Sequence, residues 1–511
     1  MSQPSTSPRL APGQRRTVTV TALGQSDGAI AVVPNDRREL RIPGAVPGDT
    51  VQVQVGHVGT HAAWASLVQV EIPSEDRVVV PCLVQQACGG CPWMPARLDL
   101  QRTTRWAAIE AALAPALAGQ LARGEPPHLQ LWPGQALTTG YRTRALVMLA
   151  DTPAGLRWGL YAAGTERLVP TERCEAHHPG IDQILASVLK IMKFHGLCAW
   201  ERRRSARFSG QEPGEVAAIQ VRVDPHTEAV TLLLAVRDLA RVEPLAAELL
   251  ALPNVVTVAA NIAQLQETSA LGPETVLLAG VPLPLLRWLG PDGVLELPVA
   301  PGAFVQTRHD MAETLLAEVA ASLPNEVEHL LDLYAGIGLM GLALAKRCSR
   351  LTLAERDPAA VSAARAQVER SEALGQLLIP TTVLCTDALA TLGQLQGQGV
   401  TAALLDPPRA GCGEAVLQAL DALDELRNLV LISCGLPGLA RDALALTQRG
   451  WQVTRVAALD MFPHGPNAEV VLSLSRPRRD ATGLHALGRD AAALDAPGRV
   501  AEAATGLGFS A

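Results

Sequence analysis

From about residue 300 to residue 476 the chain switches regularly between short apolar strand patterns and helical ones. The strand patterns are HLLDLY, RLTLAE, TTVLCTD, AALLDPP and NLVLISC. Between them run helical stretches such as DPAAVSAARAQVER, EAVLQALDAL and PGLARDALALTQ. Strands that alternate with helices predict a doubly wound parallel sheet, because parallel neighbours need a crossover. Sheets of this kind bind ligands at the carboxyl ends of their strands.

The residues at that edge are not ordinary strand ends. The first strand runs into DLYAGIGLMG, Asp332 to Gly341. Gly336 and Gly338 there allow a tight turn and a close backbone approach to a ligand. The second strand ends at Glu355, placed where an acid accepts hydrogen bonds from ribose hydroxyls. The third ends at Asp387, the fourth at Asp406 in LLDPPRAG, and the fifth at Cys434 in LISCGLPGLARD. Taken singly, an acid at a strand end is a helix cap and a cysteine is a small buried hydrophobe. Their order along one edge points instead to a nucleoside-type cofactor beside an exposed thiol. A dinucleotide is a poor match, because Asp332 would repel a diphosphate. S-adenosylmethionine has no phosphate and carries a positive sulfonium, which an acid near the glycine loop suits.

The N-terminal half has other signatures. Strand patterns TVTVTAL, AIAVV, ELRIP, TVQVQVGHV and ASLVQVEI, separated by turn residues, predict a small OB-like β-barrel over 15–74. Cys82, Cys88 and Cys91 then follow in PCLVQQACGGCPW, with Cys174 further on in LVPTERCEAHH. No run of about 18 apolar residues occurs, and the first residues lack the apolar core of a secretory signal. The expectation is a soluble, cytoplasmic chain without a membrane partner, where disulfides are rare. An odd total of nine cysteines also fits reduced thiols. Four thiolates could hold either a structural zinc ion or an iron–sulfur cluster, and the spacing does not choose between them. The net charge of −7 gives no global attraction to nucleic acid, so binding must use local patches. ERRRSAR, residues 201–207, is one candidate; a solvated loop is the plain alternative.

In combination these motifs resemble the S-adenosylmethionine-dependent RNA 5-methyluridine methyltransferases. The likeness is to the branch with an N-terminal TRAM barrel and an iron–sulfur cluster that acts on 23S rRNA. It covers roughly residues 15–476 and rests on CLVQQACGGC with Cys174, FVQ at 304–306, DLYAGIG, LLDPPRAG, SCGLPGLARD and DMFPHGPNAE. The resemblance implies a multidomain α/β chain: barrel 15–74, an iron–sulfur and central RNA-binding domain 75–295, and a Rossmann-like methyltransferase domain 296–476. Residues 1–14 and 477–511 are expected to be disordered, and a monomer is expected.

The resemblance also implies roles. Cys82, Cys88, Cys91 and Cys174 match the ligands of a [4Fe–4S] cluster. Cys434 matches the nucleophile that adds to uracil C6, and Glu469 the base that removes the C5 proton. Gln306, Tyr334, Gly336, Gly338, Glu355, Asp387 and Asp406 match the donor-binding set, with Asp406 also placed for a bond from uracil N3. The helix after Cys434 is expected to favour its thiolate. Five positions depart from the family pattern: Arg308, Leu339, Gly435, Gly438 and Asn467. They leave two other readings in view, the same chemistry on tRNA and an RNA-binding assembly factor with a decayed donor site.

Overall fold

The computed structural model describes residues 9–25, 28–134, 137–165, 167–200, 214–263 and 270–477. The basic stretch 201–207, residues 1–8 and the tail from 478 lie outside the described residues. A closed barrel opens the chain, in the order Arg15–Leu23, Ala29–Val32, Glu39–Ile42, Ala62–Ile72 and Thr50–Val58. Its alternation is clean: Val51, Val53 and Val55 are buried while Gln54 faces water, as period-2 side chains on a one-sided sheet require. Of the stretch expected to be disordered, residues 9–14 are described, and Leu10 alone of them is buried. Leu10 is buried in the barrel core, and the Gly13 N–H reaches the Val55 carbonyl at 2.7 Å. At this position a buried apolar side chain outweighs the polar, proline-rich composition around it. Asp49, fully buried, accepts from the Arg77 guanidinium at 2.6 Å and ties the barrel to the cysteine segment.

The central part is a sheet in the order Glu274–Gly280, Val255–Ile262, Val230–Val236, Val216–Val223, Arg144–Thr152, Gly155–Tyr161 and Leu168–Thr171. Every residue of Val216–Val223 and Val230–Val236 is buried. The helix Pro179–Phe194 covers one face, with Ile181, Leu185 and Val188 in the shared core.

The C-terminal sheet runs Thr381–Cys385, Cys348–Glu355, Val327–Leu333, Ala402–Leu405, Asn428–Ser433, Glu469–Ser475, Gln452–Leu459 and His128–Leu131. The strand order reverses between Val327–Leu333 and Ala402–Leu405, and both are parallel to their neighbours there. Glu469–Ser475 alone among these inserts antiparallel to both of its neighbours. Helices cover both faces. Met311, Leu315 and Val368 pack on one side, and Leu392, Leu417 and Leu439 on the other.

The boundaries read from the sequence need two corrections. Helix Leu98–Ala122 packs Ile109, Leu113 and Leu117 into the core that holds Leu439 and Leu446, and strand His128–Leu131 pairs with Gln452–Leu459. This early segment therefore completes the C-terminal sheet and is not part of the central unit. The hairpin Leu285–Gly290 and Gly293–Pro298 also belongs there, since Trp288 and Leu297 lie in the same core as Met311 and Leu315. Among the described residues no helix is long and apolar enough to cross a membrane.

Candidate active site

Six strands deliver side chains to the sheet edge around the point where the strand order reverses. After Leu333 the backbone turns through Tyr334, Gly336 and Gly338, with φ of 66°, 57° and 82°. Tyr334 holds a left-handed conformation that a side chain normally avoids, a form of strain that gathers at ligand sites. Glu355 organises this loop. One oxygen accepts from the Gly336 N–H at 3.0 Å, and the other from Arg356 and Asp357 at 2.7 and 2.9 Å. Asp332 does not face a ligand. It is buried beneath the loop, accepts from the Gly341 N–H at 2.8 Å, and burial pushes its carboxyl up to about 7. Glu355 is thus the acid that borders the loop, which corrects the expectation for Asp332. Asp387 caps the helix Ala388–Gln394 by accepting from the Ala390 N–H at 2.8 Å, the plain alternative for that acid. The Tyr334 phenol lies near Cys412 and Asp442, and burial raises its pKa. Gln306 sits half-buried in a segment fixed by Thr307, whose carbonyl takes the Thr143 N–H at 2.9 Å.

Cys434, Asp406 and Glu469 come together from three adjacent strands. Each carboxylate acts on the Cys434 thiol, and Asp406 acts on Glu469. Glu469 is fully enclosed and Asp406 has its carboxyl enclosed; burial pushes both upward, and two close carboxylates resist ionising together. The thiol is half-buried rather than exposed. Burial raises it, Glu469 and Asp406 raise it further, and the nearby positive charge of Arg409 opposes them. The local cation favouring the thiolate is therefore Arg409, while the expectation rested on the following helix. Arg409 has no distinguishing mark in LLDPPRAG except its place three residues after Asp406.

The departures from the family pattern have structural explanations. A Cβ on Gly435 would stand 2.5 Å from the Arg409 carbonyl oxygen, and one on Gly438 would meet that oxygen at 2.7 Å and the Gly411 nitrogen at 2.8 Å. The loop that carries Arg409 lies directly on the loop after Cys434, and glycine is what permits this. Gly438→Thr is therefore expected to lower stability by about 1–3 kcal/mol, as overpacking does, measured by urea denaturation. Arg308 is fully buried and bonds Asp310 at 2.9 Å and the Asp460 carbonyl at 2.9 Å. Leu339 packs against the core. Asn467 contributes its backbone carbonyl, which accepts from Arg105 at 3.5 Å.

The loop before Glu469 is anchored to the cysteine segment. The Trp93 N–H reaches the His464 carbonyl at 2.9 Å, Gln101 accepts from the His464 N–H at 2.9 Å, and Arg105 pairs with Asp460 at 2.9 Å. The base and the cysteines share one scaffold, a link no sequence pattern revealed. Cys82, Cys88, Cys91 and Cys174 are half-buried free thiols that influence one another electrostatically. Burial pushes Cys91 up to about 12. Gly89 lies where a Cβ would stand 2.8 Å from the Ala163 Cα, and the Gly90 N–H donates to the Cys88 sulfur at 3.4 Å.

Residues 297–477 match the family model described as tRNA (Uracil-5-)-methyltransferase. The chain is 29% identical over 475 residues to an uncharacterized RNA methyltransferase of Nostoc sp., covering 91% of this chain and 98% of that protein. It is 27% identical to one of Enterococcus faecalis, over 91% of this chain and 98% of the relative. Among solved structures, the Pyrococcus abyssi tRNA (uracil-54, C5)-methyltransferase in complex with S-adenosyl-L-homocysteine superposes with a TM-score of 0.68. That match covers 90% of this chain and 99% of the other at 20% identity, a likeness of fold. The glycine loop, the buried acids and the thiol at one sheet edge all lie within the residues that match that family model.

Proposed function

We propose that this chain methylates C5 of a uridine in 23S rRNA, with Cys434 adding to C6 of the base. The observation that carries the reading is the meeting of a thiol, an arginine charge that favours its thiolate, the buried Glu469 and the half-buried Asp406 at the edge where the strand order reverses. Uracil C5 is a poor nucleophile. When the Cys434 sulfur bonds to C6, the ring's electron pair moves toward O4 and C5 becomes reactive. S-adenosylmethionine, when bound, supplies the electrophilic methyl group; the loop with Gly336 and Gly338, together with Glu355, Gln306 and Tyr334, would hold it, and Asp387 would border its adenine. Glu469 then takes the C5 proton, the ring double bond re-forms and the C6–S bond breaks. Burial makes Glu469 a stronger base once ionised. Asp406, sharing its enclosure, is placed to hydrogen-bond the uracil edge. The target nucleotide must leave its stack, at a cost of about a few kcal/mol, and contacts from the barrel and the central sheet would offset this.

Because Arg409 opposes the upward push on the Cys434 thiol, removing it should raise that thiol further. The thiolate fraction at a given pH then falls. With Arg409→Gln the pH profile for alkylation of Cys434 by iodoacetamide is expected to move to higher pH. An unmoved profile would show that the arginine does not tune the sulfur.

The four cysteines suit a [4Fe–4S] cluster. Tetrahedral zinc at about 2.3 Å from each sulfur would set the sulfurs roughly 3.8 Å apart. Protein prepared without oxygen is expected to be brown and to contain iron and acid-labile sulfide. A colourless, zinc-containing product would overturn this assignment.

Mapping 5-methyluridine in RNA after gene deletion, and after incubation of the protein with S-adenosylmethionine, tests the substrate. Loss at a 23S rRNA position supports the reading. Loss at a tRNA position instead supports the second reading, which the family description and the fold of the Pyrococcus abyssi tRNA enzyme favour. Intact methylation in both, with no binding of labelled S-adenosylmethionine, would leave an RNA-binding assembly factor.

A further inference from the structure

Away from the sheet edge, three donor groups from two parts of the chain face one another. His226 lies on the turn between strands Val216–Val223 and Val230–Val236 of the central sheet. His309 and Glu313 lie one helical turn apart on His309–Ala321, which leads into the methyltransferase sheet. His226 Nε2 and Glu313 Oε1 are 2.7 Å apart, and His309 Nε2 is 3.5 Å from the same oxygen. The ligating atoms of all three lie within 4.8 Å of one another.

We propose that His226, His309 and Glu313 form a binding site for a divalent transition-metal ion of the zinc type, distinct from the cysteine site. Two imidazoles and a carboxylate are a set that zinc accepts, with a fourth position left to water. Ligands at about 2.0–2.1 Å from a tetrahedral ion stand roughly 3.3 Å apart. The two separations here fall on either side of that, so a small movement of the exposed His226 closes the set. A second observation points the same way. His309 is buried, yet its Nε2 has no hydrogen-bond partner, which is costly for an enclosed polar atom. Its ring is held by stacking on Trp288 at 5.3 Å with 9° between planes. The supporting contacts are in place: Asp224 accepts from the His226 N–H at 2.8 Å, and the Leu289 N–H donates to Glu313 at 2.7 Å. Such outer partners orient first ligands. A bound ion would staple the central sheet to the helix that directly follows Gln306.

The test uses the cluster-loaded full chain and Co²⁺ alone as the probe. One equivalent is expected to bind with a nitrogen- and oxygen-type spectrum, without the intense sulfur-to-cobalt band of thiolate ligation, and Zn²⁺ should displace it. His226→Ala, on an exposed turn, and Glu313→Gln should each weaken binding by at least roughly 100-fold, the upper range for losing an outer partner alone. Both should also abolish a Zn²⁺-dependent rise in Tm. Absence of binding, binding with the thiolate band, or binding that both variants leave unchanged overturns the proposal. None of these outcomes depends on methyl transfer.

Discussion

Replacing Cys434 with alanine is expected to abolish formation of 5-methyluridine, with a rate loss on the order of 10⁴-fold or more, as for other nucleophiles in a concerted set. Without the sulfur, C5 must attack the methyl donor from an unactivated ring. No second thiol can substitute readily. Cys412 is enclosed with Asp442 and Tyr334, and burial pushes its thiol far upward. The fold should survive, because Cys434 is half-buried and the change removes one small atom. The sharper readout is chemical. RNA carrying 5-fluorouridine at the target, with donor supplied, should leave a stable adduct on the wild-type chain, since fluorine at C5 cannot depart as a proton does. The alanine variant should leave none. A full-strength adduct in Cys434→Ala, or none in the wild type with its cognate RNA, would remove the covalent step from the mechanism.

Glu469→Gln should stop the reaction one step later. The sulfur still adds and the methyl group is still accepted, but the C5 proton has no base. Turnover is expected to fall by about 10²–10⁴-fold, the usual contribution of a placed base. A methylated protein–RNA adduct should accumulate with ordinary uridine RNA, where the wild type shows little. A loss of activity without adduct would assign Glu469 to an earlier step. The same substitution has a stability consequence with a definite sign. Burial, then Asp406, raise the Glu469 carboxyl well above its ordinary value in the folded chain. The folded state therefore holds a proton that the unfolded state has released. The stability linked to that proton is complete below the unfolded value and is lost as pH rises through the folded one. Glutamine is neutral throughout. Glu469→Gln should accordingly melt above the wild type in alkaline buffer, with the gap widening as pH rises.

The two outcomes separate the roles that one cluster of residues combines. An acid enclosed beside a second acid is unfavourable for folding and useful for proton removal, a trade common at active sites. The same tension surrounds Tyr334, whose φ of 66° is held by the turn between the first strand and the glycine loop.

Much of this arrangement was legible in the chain as written. The five barrel strands and the alternating C-terminal pattern both appear in the structure, because hydrophobic period and turn residues act locally. Glu355, Asp406 and Cys434 could be placed on one edge before any coordinates, since a strand's end in a parallel sheet fixes which side of the molecule it reaches. Other features were not legible. Asp332 and Glu355 are both acids beside the same loop, yet one lies beneath it and the other borders it. Arg409 is an ordinary arginine until its loop is laid on the loop after Cys434. Gly435 and Gly438 looked like losses from a donor site, and the 2.5 and 2.7 Å approaches of the Arg409 carbonyl to their would-be Cβ atoms explain them as packing. Strand His128–Leu131 gave no sign that it would complete a sheet by pairing with Gln452–Leu459, more than 300 residues away.

The sequence by itself determined which segments become strands and helices, and hence which chemical groups reach the ligand edge of the sheet. Tertiary structure alone decided which of those groups are enclosed, which cation touches the thiol, and that His226 meets His309 and Glu313. The physical reason is range. Backbone preference and hydrophobic period are set by near neighbours in the chain. Burial, charge pairing and close backbone approach depend on residues far apart in the chain, which only the packed fold brings within a few ångströms.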